Sequence, residues 1–371
     1  MLILQKPEGL LFEKNIPDII LQKENDEVSV DIVIKIGATV ILQENYKFDV
    51  DGYITVRRLD EIISTYLSAE KTVISENVIT TGLIVAFSFS LNELADNTFS
   101  VLRCEADMPT ELNAETFVKN NFLTRLPRDK RTATNLNEYL SYVHFATYSS
   151  VILHYKAVYN LEGVRTEKTG TFATIPVQAA DCFVTFNASL AKIRTIAALP
   201  DEYIYQYDLW FSETSESLES NVFTFMVMDV YYRNRKHFVF ENSFGVLETF
   251  TATGRSENKK TVEINLANIQ GRYRKTTQDF VAETTVNSGL LSAEEMDWLD
   301  DLLLSYNVAI YTPGVSGADE EITLTGTDKI DTEANELQAF TFSYRRAKNN
   351  HLQFTAAARG IFDTTFDTTF N

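Results

Sequence analysis

Hydrophobic and polar residues alternate along most of the chain, in short runs that turn residues separate. Residues 28–36 and 78–91 are two such runs. Gly37 ends the first, and Gly82 interrupts the second, where it is expected to mark a bulge. Alternation with a period of two residues is typical of β-strands. The chain is therefore predicted to be mainly β, with tandem antiparallel β-sandwich-like domains and a few short helices.

The alternation is clearest at residues 221–254. A first run, residues 222–228, has apolar residues on both faces and is predicted to be a strand covered on both sides. Polar residues 233–236 and a turn at residues 242–245 separate it from two further runs. Together the three runs predict a meander of consecutive strands.

Three segments space their apolar residues as helices do: residues 59–67, a segment after Asn113 and a segment after Ser292. Ser292 and Glu295 have the spacing of a capping box, in which each side chain binds the backbone N–H of the other residue. Three carboxylates of this last helix are expected on its solvated face, not as an acid–base pair: Asp297, Asp300 and Asp301.

The length of 371 residues exceeds what one ordinary core accommodates, so several domains are expected. Turn spacing predicts a β-rich domain with two short helices at residues 1–145 and a central β-sandwich-like domain at residues 146–220. A β domain with one amphipathic helix follows at residues 221–360, and a C-terminal arm at residues 361–371. The acidic segment 212–221 is expected to be an exposed hairpin tip.

Acidic residues dominate the charge: 52 Asp and Glu against 33 Lys and Arg give a net charge of -19. Such a surface repels a phosphate backbone, so nucleic acid is not an expected partner. Two short basic runs stand out, residues 125–131 (RLPRDKR) and residues 272–275 (RYRK). Neither has the repeated aromatic interleaving of a stacking platform, and ordinary solvated charges or interface ion pairs explain both.

Catalytic and metal-binding motifs are missing from the sequence, so no enzyme, cofactor or metal is expected. The D-x-D-G pattern that ends at Gly52 is predicted to be a turn, because the distal glutamate of a calcium loop is absent. Cys104 and Cys182 are expected to be buried free thiols. The scattered histidines are expected to be satisfied or solvated, not metal ligands: His144, His154, His237 and His351.

No stretch of the sequence predicts a membrane-spanning helix, and the N-terminus lacks the features of a secretion signal. The chain is expected to stay in the compartment where it is made, unless it leaves as part of an assembly. Membrane insertion is not expected.

Two segments are candidates for contacts with other subunits. Residues 125–138 read as the longest loop, and loops of this kind often hold a partner contact. Its basic side chains are Arg125, Arg128, Lys130 and Arg131. The tail contains a tandem DTTF repeat whose aromatic residues are four positions apart: Phe362, Phe366 and Phe370. A docking arm and a frayed terminus both fit this tail.

One motif carries a resemblance to a known group. Residues 231–250, which include the sequence FENSFGVLE at 240–248, resemble the F-x-N-x-F/Y-G-x-x-E strand-turn-strand of tail-associated virion and prophage structural proteins from phages of gut anaerobes. The helix around Trp298 and the strand at residues 340–345 are similar to the same group. The resemblance covers about the last third of the chain and includes no catalytic residue. It implies a β-sandwich component of a tail, baseplate or related contractile assembly.

These observations predict a non-enzymatic structural protein of a virion, assembled in the host cytoplasm, that forms rings or docks other tail proteins. Homo-oligomers and other virion proteins are the expected partners. An alternative is a cell-surface or glycan-binding β-sandwich module, in which exposed tyrosine and tryptophan side chains would form a stacking platform. A third class, a hydrolase, predicts a concave pocket with convergent carboxylates.

Overall fold

The computed structural model describes residues 1–24, 28–74, 77–92, 97–126, 128–133, 136–199, 203–213, 219–228, 235–270, 272–311, 319–329 and 337–347. Within these ranges the chain is mainly β with a few short helices, which confirms the predicted fold class. The predictions for residues 214–218, for His351 and for the tail phenylalanines Phe362, Phe366 and Phe370 lie outside the described residues.

The strands of the first half are β1 (Leu2–Gln5), β2 (Gly9–Phe12), β3 (Ile19–Gln22), β4 (Ser29–Ile36), β5 (Thr39–Lys47), β6 (Tyr53–Val56), β7 (Glu70–Ile74), β8 (Asn77–Thr81), β9 (Ile84–Leu91), β10 (Asn97–Leu102), β11 (Asp129–Thr132) and β12 (Tyr139–His144). Those of the second half are β13 (Ser150–Leu161), β14 (Val164–Pro176), β15 (Cys182–Asn187), β16 (Ile204–Glu213), β17 (Phe223–Val227), β18 (Lys236–Glu241), β19 (Leu247–Ala252), β20 (Ser256–Ile269), β21 (Arg272–Asn287), β22 (Val308–Tyr311), β23 (Asp319–Asp328) and β24 (Thr341–Arg346). The helices are α1 (Leu59–Ile63), α2 (Ala114–Asn120), α3 (Leu190–Ala197), α4 (Ala293–Trp298) and α5 (Asp300–Leu304), with single 3₁₀ turns at Glu13–Asn15 and Ser64–Tyr66.

These strands form five sheets. Their strand orders are β1-β3-β6 in sheet A, β2-β10-β9-β4-β5 in sheet B, β12-β15-β8-β7 in sheet C, β11-β17-β16-β13-β14 in sheet D and β19-β18-β22-β23-β24-β21-β20 in sheet E. Neighbouring strands are antiparallel except β10 with β2 and β11 with β17, which are parallel.

Sheets A and B enclose the core of an N-terminal sandwich. The inward faces of β3, β4, β6 and β9 supply the apolar side chains, and α1 closes the core with Leu59 and Ile63. The predicted alternation on β9 is confirmed for Val85, Phe87 and Phe89, which pack in this core, whereas Leu83 lies before the strand and is buried in a different cluster. The predicted helix at residues 59–67 is confirmed as α1 and the 3₁₀ turn that follows it.

Sheets C and D pack together around a central core. Tyr142 of β12 stacks on Phe211 of β16 with ring centroids 4.9 Å apart, which marks the contact between the two sheets. Strands from outside residues 146–220 take part, since β8 pairs with β15 and β17 pairs with β16. The sheets therefore cross both predicted domain boundaries.

The predicted three-strand meander is wrong for its first strand. β17 lies in sheet D between β11 and β16, whereas β18 and β19 form a hairpin in sheet E. Phe223 and Phe225 bury in the central sandwich, where Phe225 stacks on Tyr207 at 4.8 Å. This strand is also covered on one face only, because Met226 on the other face is 43% exposed.

Two glycines occupy backbone conformations that other residues rarely adopt. Gly82 does not form the predicted bulge; it lies between β8 and β9, where the chain passes from sheet C to sheet B with φ +79°. A Cβ atom there would lie 2.1 Å from the carbonyl oxygen of Ser68. Gly245, with φ +78°, closes the predicted turn before β19 and donates its N–H to the Asn242 carbonyl at 2.8 Å.

Helices α2 and α4 begin where the sequence predicts. The Asn113 side chain accepts the Thr116 N–H at 2.9 Å, and Ser292 and Glu295 form the complete capping box. Helix α3 was not predicted, although Leu190, Ile193 and Ala197 give it a buried apolar face. The helix after Ser292 is interrupted at Leu299, after which α5 begins.

The core of the central sandwich continues into sheet E. Phe238 of β18, Phe342 of β24 and Trp298 of α4 belong to the same buried cluster as Tyr142 and Phe211. A separate small cluster around Phe12, Val118 and Phe244 joins β2, α2 and the turn before β19. The N-terminal, central and C-terminal parts are therefore connected by buried apolar contacts.

Candidate protein-interaction surfaces

Strands β20 and β21 form a long hairpin that extends from sheet E. Strand β24 flanks β21 only at residues 284–287, and β20 is the edge strand of the sheet. At the base, Glu283 accepts a hydrogen bond from Thr325 at 2.7 Å and pairs with Arg345 at 3.3 Å. We call residues 259–282 the β-arm. Each of its strands has about 11 residues, which corresponds to roughly 35 Å at 3.4 Å per residue.

Strand β20 presents an apolar face along the β-arm although it lies in solvent. Val262, Ile264 and Leu266 alternate along β20 and are 46, 41 and 60% exposed. Val262 lies opposite Phe280 of β21, so the two side chains share this face. An exposed edge strand with an apolar face is a recognised template for association with another chain.

The tip of the β-arm is basic. Arg272, Tyr273, Arg274 and Lys275 are all exposed, and Tyr273 is 75% exposed. No acidic residue occurs between Glu263 and Asp279, so the tip is a local positive region on a chain of net charge -19. The sequence showed this run as basic, but its place at the end of a projecting hairpin is a structural finding.

A groove of about 510 Å³ lies between the turn before β19 and the end of α5. Its wall carries five carboxylates and one guanidinium, and we call it the acidic groove: Glu105, Asp107, Glu241, Asp300 and Asp301, with Arg125. Leu304 and Tyr306 also line it, and these side chains are 76 and 92% exposed. A hydrolase would require a concave pocket with clustered carboxylates. The contacts of these carboxylates therefore show whether they are available for chemistry or are held by basic side chains.

Four of the five carboxylates in the acidic groove are held by basic side chains. Asp301 pairs with Arg125 at 3.0 Å and Glu241 with Lys71 at 3.5 Å, while Glu105 pairs with Arg103 and Asp300 with Lys329. Asp107 is exposed and has no ion pair within the described residues. Glu294 and Asp297 of α4 are also exposed, but they do not line this groove.

Asp301 does not lie on the solvated face that its position predicts. It is 5% exposed and accepts hydrogen bonds from Arg125 and from the Ser243 hydroxyl, at 3.0 and 3.2 Å. Burial raises the pKa of this carboxyl, and the positive charge of Arg125 opposes the rise. The expectation of a solvated Asp301 is wrong because Arg125, distant in sequence, approaches it in the fold.

The basic stretch 125–131 runs along the junction between the central sandwich and the C-terminal unit. Part of the predicted loop is strand β11, which pairs with β17. Arg131 makes a bidentate contact with Glu295 of α4, at 3.0 and 2.7 Å, and donates to the Leu290 carbonyl at 2.7 Å. Arg125 and Arg131 therefore tie this stretch to both short helices of the C-terminal unit.

Lys130 is buried in the same junction. Its ammonium group pairs with Glu138 at 2.7 Å, donates to Thr249 at 2.7 Å and lies 5.6 Å from the Trp298 ring centroid. Arg128 is exposed and lines a neighbouring groove of about 580 Å³ between α2 and β17. Of the four basic side chains predicted to contact other subunits, three have partners within the chain and Arg128 lies at the surface. The predicted contact stays a prediction.

The motif that carries the virion-protein resemblance forms part of this junction. The Asn242 side chain donates to the Leu123 carbonyl at 2.8 Å and accepts the Phe244 N–H at 3.0 Å. Glu248 is buried and accepts a hydrogen bond from the Trp298 indole N–H at 2.7 Å. The motif and the Trp298 helix, which resemble the same group of proteins, are therefore in contact.

Burial changes the titration of two groups in sheet E. Removal from water raises the pKa of Glu248 to about 7, although Lys130 and the hydrogen bonds from Thr124 and Trp298 oppose the rise. Burial, together with the charges of Arg235 and Lys236, lowers the pKa of His237 to about 4. His237 Nδ1 lies 2.9 Å from the Thr251 hydroxyl on the adjacent strand.

Among the remaining candidate residues, His144 departs from the expectation of a satisfied or solvated side chain, because it is buried and its Nε2 atom has no hydrogen-bond partner within the described residues. Cys104 and Cys182 are buried free thiols, as predicted, and burial raises the pKa of both. Asp49 stabilises the predicted turn by accepting the N–H groups of Asp51 and Tyr53. His154 stacks on Trp210 with ring centroids 5.2 Å apart. In the described part of the chain, no three His, Cys, Asp or Glu side chains are grouped as metal ligands would be.

None of the helices in the described ranges combines the length and the apolar composition needed to cross a bilayer. In comparisons with known proteins, no family model matches the chain, and no curated protein matches it. The resemblance to tail-associated virion proteins stays an expectation from the residues quoted above.

Proposed function

We propose that this protein is a non-enzymatic structural component of a multi-subunit assembly of the phage tail or baseplate type. In that assembly the β-arm binds a neighbouring subunit. The proposal includes homo-oligomers, other virion proteins as partners, and a place in the virion after assembly in the host cytoplasm.

The observation that carries the proposal is the exposed β-arm. A two-stranded hairpin is marginally stable in water by itself, and this one has apolar side chains exposed along one face. Covering that face with a neighbouring subunit would remove its apolar surface from water and would occupy the free edge of β20. A projecting hairpin of this kind is suited to joining the copies of an assembly.

The test is the protein content of purified particles. In density-gradient-purified particles from a host that carries the gene, quantitative mass spectrometry should find the chain at a fixed number of copies per particle. Absence from such particles would contradict the virion assignment. A gene that encodes a chain without residues 259–282 should give particles that lack the protein, because the neighbouring subunit loses its contact.

A substitution at a surface turn away from the β-arm provides the control for the particle experiment. Residues 163 and 164 lie at the tight turn between β13 and β14, where Val164 is exposed. The variant Val164→Ser should still enter particles. If both altered chains are excluded, the arm has no special role in incorporation.

A second candidate function, carbohydrate recognition, is favoured by the position of Tyr306 beside the carboxylates of the acidic groove. Exposed aromatic rings and carboxylates can bind the faces and hydroxyl groups of sugars. The two tryptophans do not form the expected exposed platform, because Trp298 is buried and Trp210 stacks on His154. Glycan-array binding that is lost in Tyr306→Ala would support this function, whereas no binding by the intact protein would contradict it.

A further inference from the structure

We propose that the basic tip of the β-arm of one copy binds in the acidic groove of a second copy of this chain. The proposal rests on the proposed function and identifies the partner of the β-arm and the surface that receives it. The tip consists of residues 272–275, and the acidic groove was defined above.

Charge complementarity is the first argument. The tip presents Arg272, Arg274 and Lys275, and all three side chains are exposed. The acidic groove is lined by five carboxylates and one guanidinium, and Asp107, which is exposed, has no ion pair within the described residues. Opposite potentials of this kind accelerate the encounter of two surfaces and select the orientation in which they dock.

Apolar complementarity is the second argument. The tip carries Tyr273 between its basic residues, and the acidic groove is lined on one side by Leu304 and Tyr306. These three side chains are among the most exposed large hydrophobic residues of the described chain. Contact between them would exclude water from all three at once, and tyrosine is enriched at the energetic centres of interfaces.

The contact joins two different surfaces and is therefore heterologous. In the structure the tip does not line the acidic groove of its own chain. The β-arm carries the tip roughly 35 Å beyond the body of sheet E, which allows it to span the gap to a neighbour. A contact between two different surfaces produces a closed ring or an open helical stack, depending on the rotation between copies.

The experiment uses analytical ultracentrifugation of the full chain at low and at high ionic strength. Intact protein should associate at low salt and dissociate as salt is added. The tip variant Arg272→Glu/Arg274→Glu should weaken association about tenfold or more, since favourable charge contacts become repulsive. A matched control, Lys47→Glu/Arg57→Glu, makes the same charge change on exposed residues of the N-terminal sandwich and should associate as the intact protein does.

The groove variant Glu105→Lys/Asp107→Lys, at two exposed residues that line the acidic groove, should lose association to a similar degree. Its control, Glu44→Lys/Asp51→Lys, adds the same positive charge to exposed residues elsewhere. A mixture of the tip variant and the groove variant should associate again, because the reversed tip now faces a reversed groove. Circular dichroism and thermal melting of every variant establish that the chains are folded.

The outcomes separate this inference from the proposed function. An intact chain that stays monomeric at low salt overturns the inference, as does a tip variant that associates normally. Failure of the mixture to associate overturns the pairing of the tip with the acidic groove. In each of these cases the presence or absence of the chain in purified particles still decides the proposed function independently.

Discussion

The ammonium group of Lys130 lies 2.7 Å from a carboxylate oxygen of Glu138, and both side chains are more than nine-tenths buried. Lys130 comes from β11 in sheet D, and Glu138 also accepts hydrogen bonds from Thr132 and from Thr249 of β19 in sheet E. The pair is therefore the charged centre of the junction between the central sandwich and the C-terminal unit. Charges buried in this way are tolerated only while each keeps its partner.

Replacing Lys130 with Met should destabilise the fold strongly. Glu138 would remain buried without a counter-charge, and removing one partner of a buried pair costs about 3 to 5 kcal/mol. Urea unfolding followed by circular dichroism measures the loss. The double variant Lys130→Met/Glu138→Gln should recover part of the lost stability, because it removes both charges. If Lys130→Met alone is within about 1 kcal/mol of the intact protein, the pair is not fully desolvated.

Glu248 should make the protein less stable as pH rises from 4.5 to 7. The carboxyl has a pKa of about 7 in the folded state against 4.5 in the unfolded chain, so the folded state binds the proton more tightly in that window. Below pH 4.5 both states hold the proton, and above pH 7 neither does. Glu248→Gln removes this dependence and can still accept the hydrogen bond from Trp298.

The free energy of unfolding of Glu248→Gln should therefore rise relative to that of the intact protein across this window. The relative gain between pH 4.5 and 7 is up to about 3 kcal/mol, from 1.36 kcal/mol per pH unit. Urea titrations at four pH values provide the comparison. Parallel pH profiles for the two proteins would mean that Glu248 is ionised in the folded state.

His237 should make the protein more stable as pH rises from 4 to 6.5, which is opposite to the effect of Glu248. Its pKa is about 4 in the folded state against 6.5 in the unfolded chain, so the unfolded state binds more protons between these values. The stability it contributes is complete above pH 6.5 and is lost as pH falls to 4. His237→Asn, whose amide can replace Nδ1 beside Thr251, should lose less stability on acidification than the intact protein.

The contributions of Glu248 and His237 oppose each other between pH 4.5 and 6.5. The intact protein should therefore show a flatter stability profile in this range than either variant does. Unfolding measured for both single variants and for the double variant checks the cancellation. If the double variant is no flatter than either single variant, other groups dominate the pH dependence.

Deleting the β-arm should leave the rest of the fold intact. Its described side chains are not buried, and its residues beyond the base pair only with each other. A chain in which an Asn-Gly turn joins Lys259 to Glu283, which face each other across the hairpin, should unfold within about 1 kcal/mol of the intact protein, as surface changes usually do. A loss of several kcal/mol would show that the β-arm packs on the body of the protein.

Local patterns were sufficient to predict much of the secondary structure. Strands such as β4, β9 and β13 follow from alternation, and α4 follows from the capping box at Ser292, because these signals involve neighbouring residues. The sheet to which β17 belongs could not be predicted in the same way. Its partner β11 lies nearly a hundred residues earlier, and pairing over such a distance depends on the assembled core.

The candidate surfaces also depend on contacts between residues that are distant in sequence, which local patterns do not predict. Asp301 is buried because Arg125, 176 residues away in sequence, pairs with it, and no local pattern indicates that contact. The sequence predicted strands on both sides of Arg272, but whether another element covers a hairpin is decided by the tertiary fold. The exposure of the β-arm and the shape of the acidic groove were therefore visible only in the structure.

Light scattering at low ionic strength gives the molar mass in solution of the intact chain and of the chain without residues 259–282. If the β-arm joins subunits, the intact protein should have a multiple of 42.1 kDa and the deletion variant the mass of a single chain. The same mass for both proteins, whether of one chain or of an oligomer, would contradict assembly through the β-arm.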